Sequence, residues 1–398
     1  MSLTPSDFAR ARISLLAVFA SMGFAISSAA TRLAEIKQQL DVPDSVFGYA
    51  LACTTLGSLT GNALAHRLIV RWSSRRITQV FCTLMMLSVG LYGSTTQVWQ
   101  LAVMAYLCSF GYSVANIATN AQGVDVEVHV QRSVMPSFHA SWSIGSLATA
   151  VLGGAVAALL SPQWHLLGIA ALSITAMLTS SKNLLPFDHV DENDAHHSEP
   201  VNTKTKKRLF VTAIGASLGL IAEVSAMDWS SIYLHESLGI ALGLNALGVT
   251  AFLLAQISSR LMVGRLNDRF GVHRVVRTGA VIGALGFLGS NFALRFGIDE
   301  GHIILGSATA LIIACGGFVL LGIGVGPLPA AYFAAAGKIQ GISTARGIGL
   351  LALMNSAILL LLRPLISWST DAFSISFALL LSGFALFGSA ALSRVLKQ

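Results

Sequence analysis

The sequence is poor in charge. Only 11% of its 398 residues are Asp, Glu, Lys or Arg, and 54% are hydrophobic, whereas a soluble globular chain carries about 25% charged residues. This composition excludes a soluble protein and indicates a polytopic membrane protein. The formal charge of +7 is explained by basic loops held against anionic lipid, so no nucleic-acid partner is implied.

Cysteines and catalytic motifs are also scarce. The chain has no Gly-Lys-Ser/Thr phosphate loop and no zinc-ligand spacing. His196 and His197 are adjacent, but they lie in a polar stretch where nothing fixes their geometry for a metal. We therefore expect no enzyme activity, no cofactor and no metal, and ATP cannot drive any transport. Disulfides are not expected either, because all four cysteines lie in apolar segments: Cys53, Cys82, Cys108 and Cys315.

Long apolar runs are abundant. A membrane-spanning helix needs about 20 apolar residues, and twelve such runs can be counted, six on each side of a polar stretch. The pattern predicts a six-helix bundle over 1–183, a linker over 184–207 and a second six-helix bundle over 208–398. The tenth run, 303–335, is expected to bend or break at its Gly-rich segment, which Pro327 follows.

Small residues recur at four-residue spacing in three of these runs. Such pairs let two helices approach closely in a membrane. Packing therefore explains them without a catalytic role: Gly57 with Gly61, Gly279 with Gly283, and Gly322 with Gly326.

A basic turn occurs twice, 198 positions apart. The first copy contains Arg67, Arg71, Trp72 and Arg76, and the second has Arg265, Arg269, Phe270 and Arg274 at the matching places. An apolar half that is duplicated with a basic hairpin at the same place is typical of transporters built from repeated bundles.

The basic residues also predict orientation. Counted over short loops, most of them fall on the side that holds both termini and both turns. The opposite side holds only Arg32, Lys37, Arg295 and Arg363. We predict that both termini are cytoplasmic and that the chain lies in a bacterial inner membrane.

The second turn resembles the signature loop of the major facilitator superfamily. It reads Gly264-Arg-Leu-Asn-Asp268-Arg269-Phe-Gly271-Val-His-Arg274. Further segments resemble the YbjJ-type bacterial branch of that superfamily near the fucose permease group: Ala30-Thr-Arg32, Asn120-Ala-Gln-Gly123 with Val126-Glu127, Met135-Pro136-Ser-Phe-His139, and Ala222-Glu223 with Asp228-Trp229. The resemblance implies an all-α protein with twelve transmembrane helices in two bundles. It also implies a central cavity that opens alternately to either side, and we expect a monomer.

The first turn departs from this signature. Val70 stands where the superfamily has an acid, and Ser73 stands where it has the second glycine. We therefore expect the second turn to carry the cytoplasmic gate through Gly264, Asp268, Arg269, Gly271 and Arg274. On the same side, Arg71 and Arg75 are within plausible reach of Asp125 and Glu127, and such pairs could close an inner gate. Arg260, near the inner end of its helix, is a further possible member.

Two carboxyl groups lie within the seventh apolar run. An ionisable group in a span costs about 2.5–3.5 kcal/mol on insertion scales, so it needs a partner or a water-filled cavity. Desolvation at mid-span favours the neutral acid, which makes Glu223 the first choice for proton coupling. The alternative is a structural carboxylate paired permanently with a basic neighbour. Asp228 lies about 140° around the helix from Glu223 and is a second coupling candidate, or an interfacial anchor beside Trp229.

Other polar residues are candidates for the substrate cavity. Arg32 could bind an anion or extend to the outer surface. Asn116 and Asn120 share one helix face and could bind a polar solute or a neighbouring helix. His139 and Trp142 suit a proton relay or stacking on a ring, although a lone His is often a packing residue. Trp229 and Asn355 complete the set, and Arg363 before Pro364 has no explanation from the sequence.

The sequence therefore predicts a secondary transporter that moves a small organic solute by alternating access, with protons as the coupling ion. A passive facilitator of the same fold and a solute sensor without net transport remain alternatives. The substrate and the direction of transport are not predicted.

Overall fold

The computed structural model describes residues 5–130, 134–157, 159–185, 203–296, 303–340 and 344–397. Across these ranges the chain is helical, with no strand. Residues 186–202, most of the predicted linker, and the pair His196 and His197 lie outside the described residues. The helices are α1 Pro5–Ala30, α2 Leu33–Leu40, α3 Asp44–Trp72, α4 Ser74–Tyr92, α5 Val98–Val130, α6 Met135–Ala157, α7 Pro162–Ser181, α8 Thr203–Ile232, α9 Leu247–Phe270, α10 Val272–Phe292, α11 Ile303–Val325, α12 Leu328–Gly337, α13 Thr344–Ala372 and α14 Ile375–Leu392.

The described ranges contain fourteen α-helices, two more than the twelve predicted spans, because α2 is a short additional helix and the tenth run is divided between α11 and α12. Within the described ranges, nine helices are long and apolar enough to cross a membrane. The apolar composition is therefore matched by helices of membrane-spanning length, and the chain is a multi-pass membrane protein.

The tenth span is broken where its sequence predicts. Helix α11 ends at Val325, Gly326 and Pro327 form a turn, and α12 begins at Leu328. Proline has no N–H to continue the helical ladder, and its ring clashes with the carbonyl one turn earlier. Its fixed φ instead suits the start of the next helix, which explains why α12 follows at once.

The chain divides into two compact units. The first contains Met1–Arg32 and Ala50–Ser198, and the second contains Leu33–Tyr49 and Glu199–Gln398. The short helix α2 and the first turns of α3 thus group with the second unit.

Helix packing repeats from one unit to the other. In the first unit α1 packs on α6 and α7, and α4 packs on α5 and α7. In the second unit α8 packs on α13 and α14, and α10 packs on α11 and α14. The helices correspond in order along each half, so the duplication visible in the sequence is also a duplication of packing.

The glycine pairs lie at close helix contacts, as predicted. A Cβ added to Gly57 would lie 2.2 Å from the carbonyl oxygen of Tyr106 on α5, and one added to Gly322 would lie 2.3 Å from that of Phe252 on α9. A Cβ on Gly279 would lie 2.7 Å from the oxygen of Gly324 on α11. Only a residue without a side chain allows backbones to come this close.

The two basic turns have the same backbone geometry. Ser73 has φ 70° and ψ 149°, and Gly271, 198 positions later, has φ 80° and ψ 143°. The hydrogen bonds also match. Ser73 N–H donates to Ile69 O at 2.9 Å, and Gly271 N–H donates to Asn267 O at 2.9 Å. The turn therefore imposes a positive φ in both copies, although only the second copy has a glycine there.

Candidate functional site

Glu223 on α8 forms an ion pair with Arg260 on α9. Arg260 Nη2 donates to Glu223 Oε1 at 3.0 Å, and the two side chains are 33% and 20% exposed for Arg260 and Glu223 respectively. The second oxygen, Oε2, is buried and has no hydrogen-bond partner among the described residues. The ion pair thus stabilises negative charge on Oε1, whereas Oε2 is removed from water without a hydrogen bond that would offset its desolvation. Arg260, which the sequence associated with the gate, pairs here with the first-choice coupling residue.

Asp228 on α8 pairs with Arg363 on α13. The guanidinium Nη2 of Arg363 contacts Asp228 Oδ2, and the side chains of Arg363 and Asp228 are 12% and 18% exposed. This pair supplies the explanation that the sequence lacked for Arg363, because a charge at such depth needs a partner of opposite sign. Glu223 pairs with α9 and Asp228 pairs with α13. This agrees with their separation of about 140° around α8, which places them on different faces. Trp229 is buried against the start of α3, where a Cβ on Gly48 would lie 2.9 Å from its ring.

Two buried amides in the second unit have unsatisfied donors. Asn355 on α13 accepts a hydrogen bond at Oδ1 from Ser217 Oγ at 2.9 Å, while its Nδ2 has no partner within the described chain. Gln256 on α9, one turn before Arg260, likewise has an unpartnered Nε2 among the described residues. Sequence analysis missed Gln256, although a Gln four residues before an Arg on an apolar helix marks a shared polar face.

In the first unit Asn116 and Asn120 on α5 contact each other. Asn120 Nδ2 donates to Asn116 Oδ1 at 3.0 Å and to Asn116 O at 2.7 Å. Both side chains are half-buried. They share a face, as the four-residue spacing predicts, and the local bond leaves the Asn116 amide nitrogen as a donor for another group.

Arg32 is buried at the junction of α1 and α2. Its guanidinium donates to the Leu160 carbonyl at 2.7 Å and to His165 Nδ1 at 2.8 Å, and the residue is 1% exposed. Cations at helix C-termini satisfy free carbonyls and oppose the helix dipole. Arg32 thus binds the chain just after α6, and its role as an anion ligand stays a prediction.

His139 and Trp142 lie on α6. The exposed His139 ring packs edge-on against Phe19 of α1, with centroids 5.6 Å apart. Trp142 is half-buried, and its Nε1 has no hydrogen-bond partner in the part of the chain that the structure describes. Buried indole N–H groups normally find a partner, so Trp142 is the stronger of the two as a donor to a polar solute.

The second basic turn is exposed. Gly264, Asp268, Arg269 and Arg274 are all accessible. Arg269 stacks over the Phe270 ring at 5.2 Å. Gly271 supplies the positive φ. Asp268 forms no ion pair with any residue that is described, so the gating role assigned to it stays a prediction.

In the first turn Arg71 is exposed and Arg75 is half-buried. Glu127 Oε2 accepts hydrogen bonds from the backbone N–H groups of Val134 and Met135 at 2.7 and 2.9 Å. A carboxylate at this place caps the start of α6. The Asp125 carbonyl bonds His129 Nδ1 at 2.8 Å. The inner gate predicted from Arg71, Arg75, Asp125 and Glu127 stays a prediction.

A third acid–base cluster was not anticipated. Lys37 on α2 contacts Asp44 at the start of α3, and its Nζ donates to Glu236 Oε1 and Oε2 at 2.6 and 2.7 Å. Burial lowers the pKa of Lys37, but the hydrogen bonds and charges of Asp44 and Glu236 outweigh burial and raise it above the usual 10.5. The sequence shows only that Lys37 lies on a short amphipathic helix. Its burial, which makes an acidic partner necessary, depends on the fold.

Known proteins resemble this chain over most of its length. The sequence profile described as Major Facilitator Superfamily matches residues 13–246. The uncharacterized transporter y4wD of Sinorhizobium fredii is 28% identical over 80% of each chain, and the membrane protein MosC of Rhizobium meliloti is 22% identical over 90% of this chain and 83% of MosC.

Solved structures share the fold. The nucleoside transporter NupG has a TM-score of 0.70 at 13% identity, covering 98% of this chain and 99% of its own. A D-xylose-proton symporter has a TM-score of 0.70 at 14% identity, covering 96% of each chain.

Proposed function

Because the chain belongs to the major facilitator superfamily, a family of membrane transporters, we propose that it is a proton-coupled secondary transporter of a small polar or amphipathic organic solute. It works as a monomer with twelve spans in two six-helix bundles, 1–183 and 208–398, joined by the linker 184–207. Both termini face the cytoplasm of a bacterial cell, as the distribution of Lys and Arg favours.

The observation that carries proton coupling is the asymmetry of the Glu223 carboxyl group. One oxygen accepts from Arg260 at 3.0 Å, and the other is buried without a partner among the described residues. A proton on the second oxygen neutralises the desolvated charge and releases Arg260. Protonation therefore changes the electrostatics of α8 and α9 together, which is what a coupling site requires.

The solute class is inferred from unsatisfied donors. In the second unit Gln256 Nε2 and Asn355 Nδ2 are buried and lack partners in the described chain. Donors of this kind favour a ligand with several hydrogen-bond acceptors, because each bond made removes a desolvation penalty. Two proteins of similar fold are named for compounds with several hydrogen-bond acceptors, a nucleoside transporter and a D-xylose-proton symporter.

A ligand screen at several pH values tests the proposal. The purified protein is heated with nucleosides, sugars, organic acids or cationic drugs, since a ligand that binds the folded state raises the melting temperature. We expect one class to stabilise the wild type with an affinity that depends on pH, because proton and solute binding are reciprocal. Glu223→Gln removes that pH dependence.

The matched control is Glu236→Gln, which also neutralises an ion-paired carboxylate in the second unit. It should keep the pH dependence of binding. If Glu223→Gln behaves as the wild type does, Glu223 is not the coupling residue. Solute binding without any pH dependence in the wild type favours the passive facilitator.

A further inference from the structure

Two adjoining clefts in the second unit lie beside the second basic turn. The first, of about 420 Å³, lies between the start of α10, the end of α12 and the C-terminal segment. Its rim has four basic residues: His273, Arg274, Lys338 and Lys397. This cleft is called the basic cleft below.

The second cleft, of about 430 Å³, continues from the first along α10. Arg274 and Phe270 line both clefts. From Arg274 the lining becomes apolar through Val275, Ile282 and Ile323. The distance along α10 from Arg274 to Ile282 is about 12 Å. This cleft is called the apolar cleft.

The charges of the basic cleft are not neutralised within the described chain. Arg274, Lys338 and Lys397 are exposed, and none forms an ion pair with a described residue. No carboxylate is among the described residues that line either cleft. His273 is fixed in place, because its Nδ1 lies 3.0 Å from the Ser393 carbonyl oxygen. Positive charge is therefore concentrated at the open end of a groove with apolar walls.

We propose that these two clefts together bind one anionic phospholipid, with its phosphate in the basic cleft and one acyl chain in the apolar cleft. The pairing of the clefts favours a lipid over a free phosphate ion, since a soluble anion gains nothing from the apolar groove. The proposal agrees with the proposed orientation, in which this face meets the anionic cytoplasmic leaflet, but it does not depend on which solute is transported.

Native mass spectrometry of the purified full-length protein tests the site. Phosphatidylglycerol and phosphatidylcholine with identical acyl chains are titrated separately, and lipid-bound protein is counted. Each basic side chain near an anionic surface contributes about fivefold in affinity. Three such losses multiply to about 100-fold. The variant Arg274→Gln/Lys338→Gln/Lys397→Gln should therefore lose phosphatidylglycerol affinity by about that factor and leave phosphatidylcholine binding unchanged.

The control is Arg277→Gln. Arg277 is exposed, lies one turn after Arg274 on α10 and lines neither cleft. This variant should bind phosphatidylglycerol as the wild type does. An equal loss in Arg277→Gln and the triple variant would mean diffuse surface attraction and would overturn the proposal. If glycerol phosphate competes for the site as effectively as unlabelled phosphatidylglycerol, the clefts bind a soluble anion and the lipid proposal is overturned.

A second variant covers the case in which the triple variant does not fold. Thr278 is exposed and lines the apolar cleft, so Thr278→Phe fills that groove without changing charge. We expect it to weaken long-chain phosphatidylglycerol binding and to spare the dihexanoyl form. Unchanged long-chain binding in Thr278→Phe would contradict the acyl-chain part of the site.

Discussion

Ser73 holds a backbone conformation that suits glycine, and replacing it should stabilise the protein. Its φ of 70° and ψ of 149° fall near a region that costs a non-glycine residue about 1–3 kcal/mol. The Ser73 side chain makes no capping hydrogen bond, so glycine loses no such bond. Glycine adds about 0.4–1 kcal/mol of unfolded-state entropy, which opposes folding. The net gain for Ser73→Gly is therefore about 1 kcal/mol.

The reverse substitution at the matching position separates strain from packing. A Cβ on Gly271 would have no heavy atom within 4 Å, so Gly271→Ala loses stability only through its φ of 80°. We expect a loss of about 1–2 kcal/mol. For a unit of roughly 200 residues, 1 kcal/mol shifts the melting temperature by about 2–4 °C.

Thermal unfolding in detergent, followed by tryptophan fluorescence or by loss of monodisperse protein, measures both shifts. The two variants should move the melting temperature in opposite directions. A decrease for Ser73→Gly, or no change for Gly271→Ala, would refute the argument that the repeated turn imposes the same φ on both residues.

Three further predictions concern packing and charge. Arg363→Gln should cost about 3 kcal/mol because it leaves Asp228 buried without its partner, and adding Asp228→Asn should restore most of the melting temperature; no recovery would contradict the pairing. Gly322→Ala should cost about 1–3 kcal/mol through overpacking against α9. By contrast, Gly316→Ala on the same helix meets open space and should stabilise the protein by about 0.4–1 kcal/mol. The Lys37 cluster stabilises the protein below pH 10.5, and this contribution is lost as the pH rises through the raised pKa of Lys37; Lys37→Met should remove that alkaline loss from the pH–stability profile.

Features that depend on local chemistry could be predicted from the sequence. The break after α11 follows from Gly326 and Pro327, because proline ends a helical ladder wherever the fold places it. The close packing at Gly57 and Gly322 follows from spacing on one helix. The major facilitator fold was expected from the turn at Gly264–Arg274, and the family comparison confirms it.

Pairings between distant residues could not be predicted. Arg363 and Asp228 are 135 positions apart, and nothing local indicates that α8 and α13 bring them together. Lys37 was assigned only to the outer side, since its partner Glu236 lies 199 positions away. Whether Arg32 faces a cavity or a helix end also depends on tertiary packing, which places it against the Leu160 carbonyl.

Solute accumulation driven by an imposed pH gradient tests the central claim most directly. Proteoliposomes that contain the wild type or Glu223→Gln are loaded at an alkaline internal pH and given a radiolabelled solute of the class found in the ligand screen. The account predicts that the wild type concentrates the solute or expels it against its gradient, while Glu223→Gln only exchanges internal for external solute. Gradient-driven accumulation or extrusion by Glu223→Gln at the wild-type rate would contradict it.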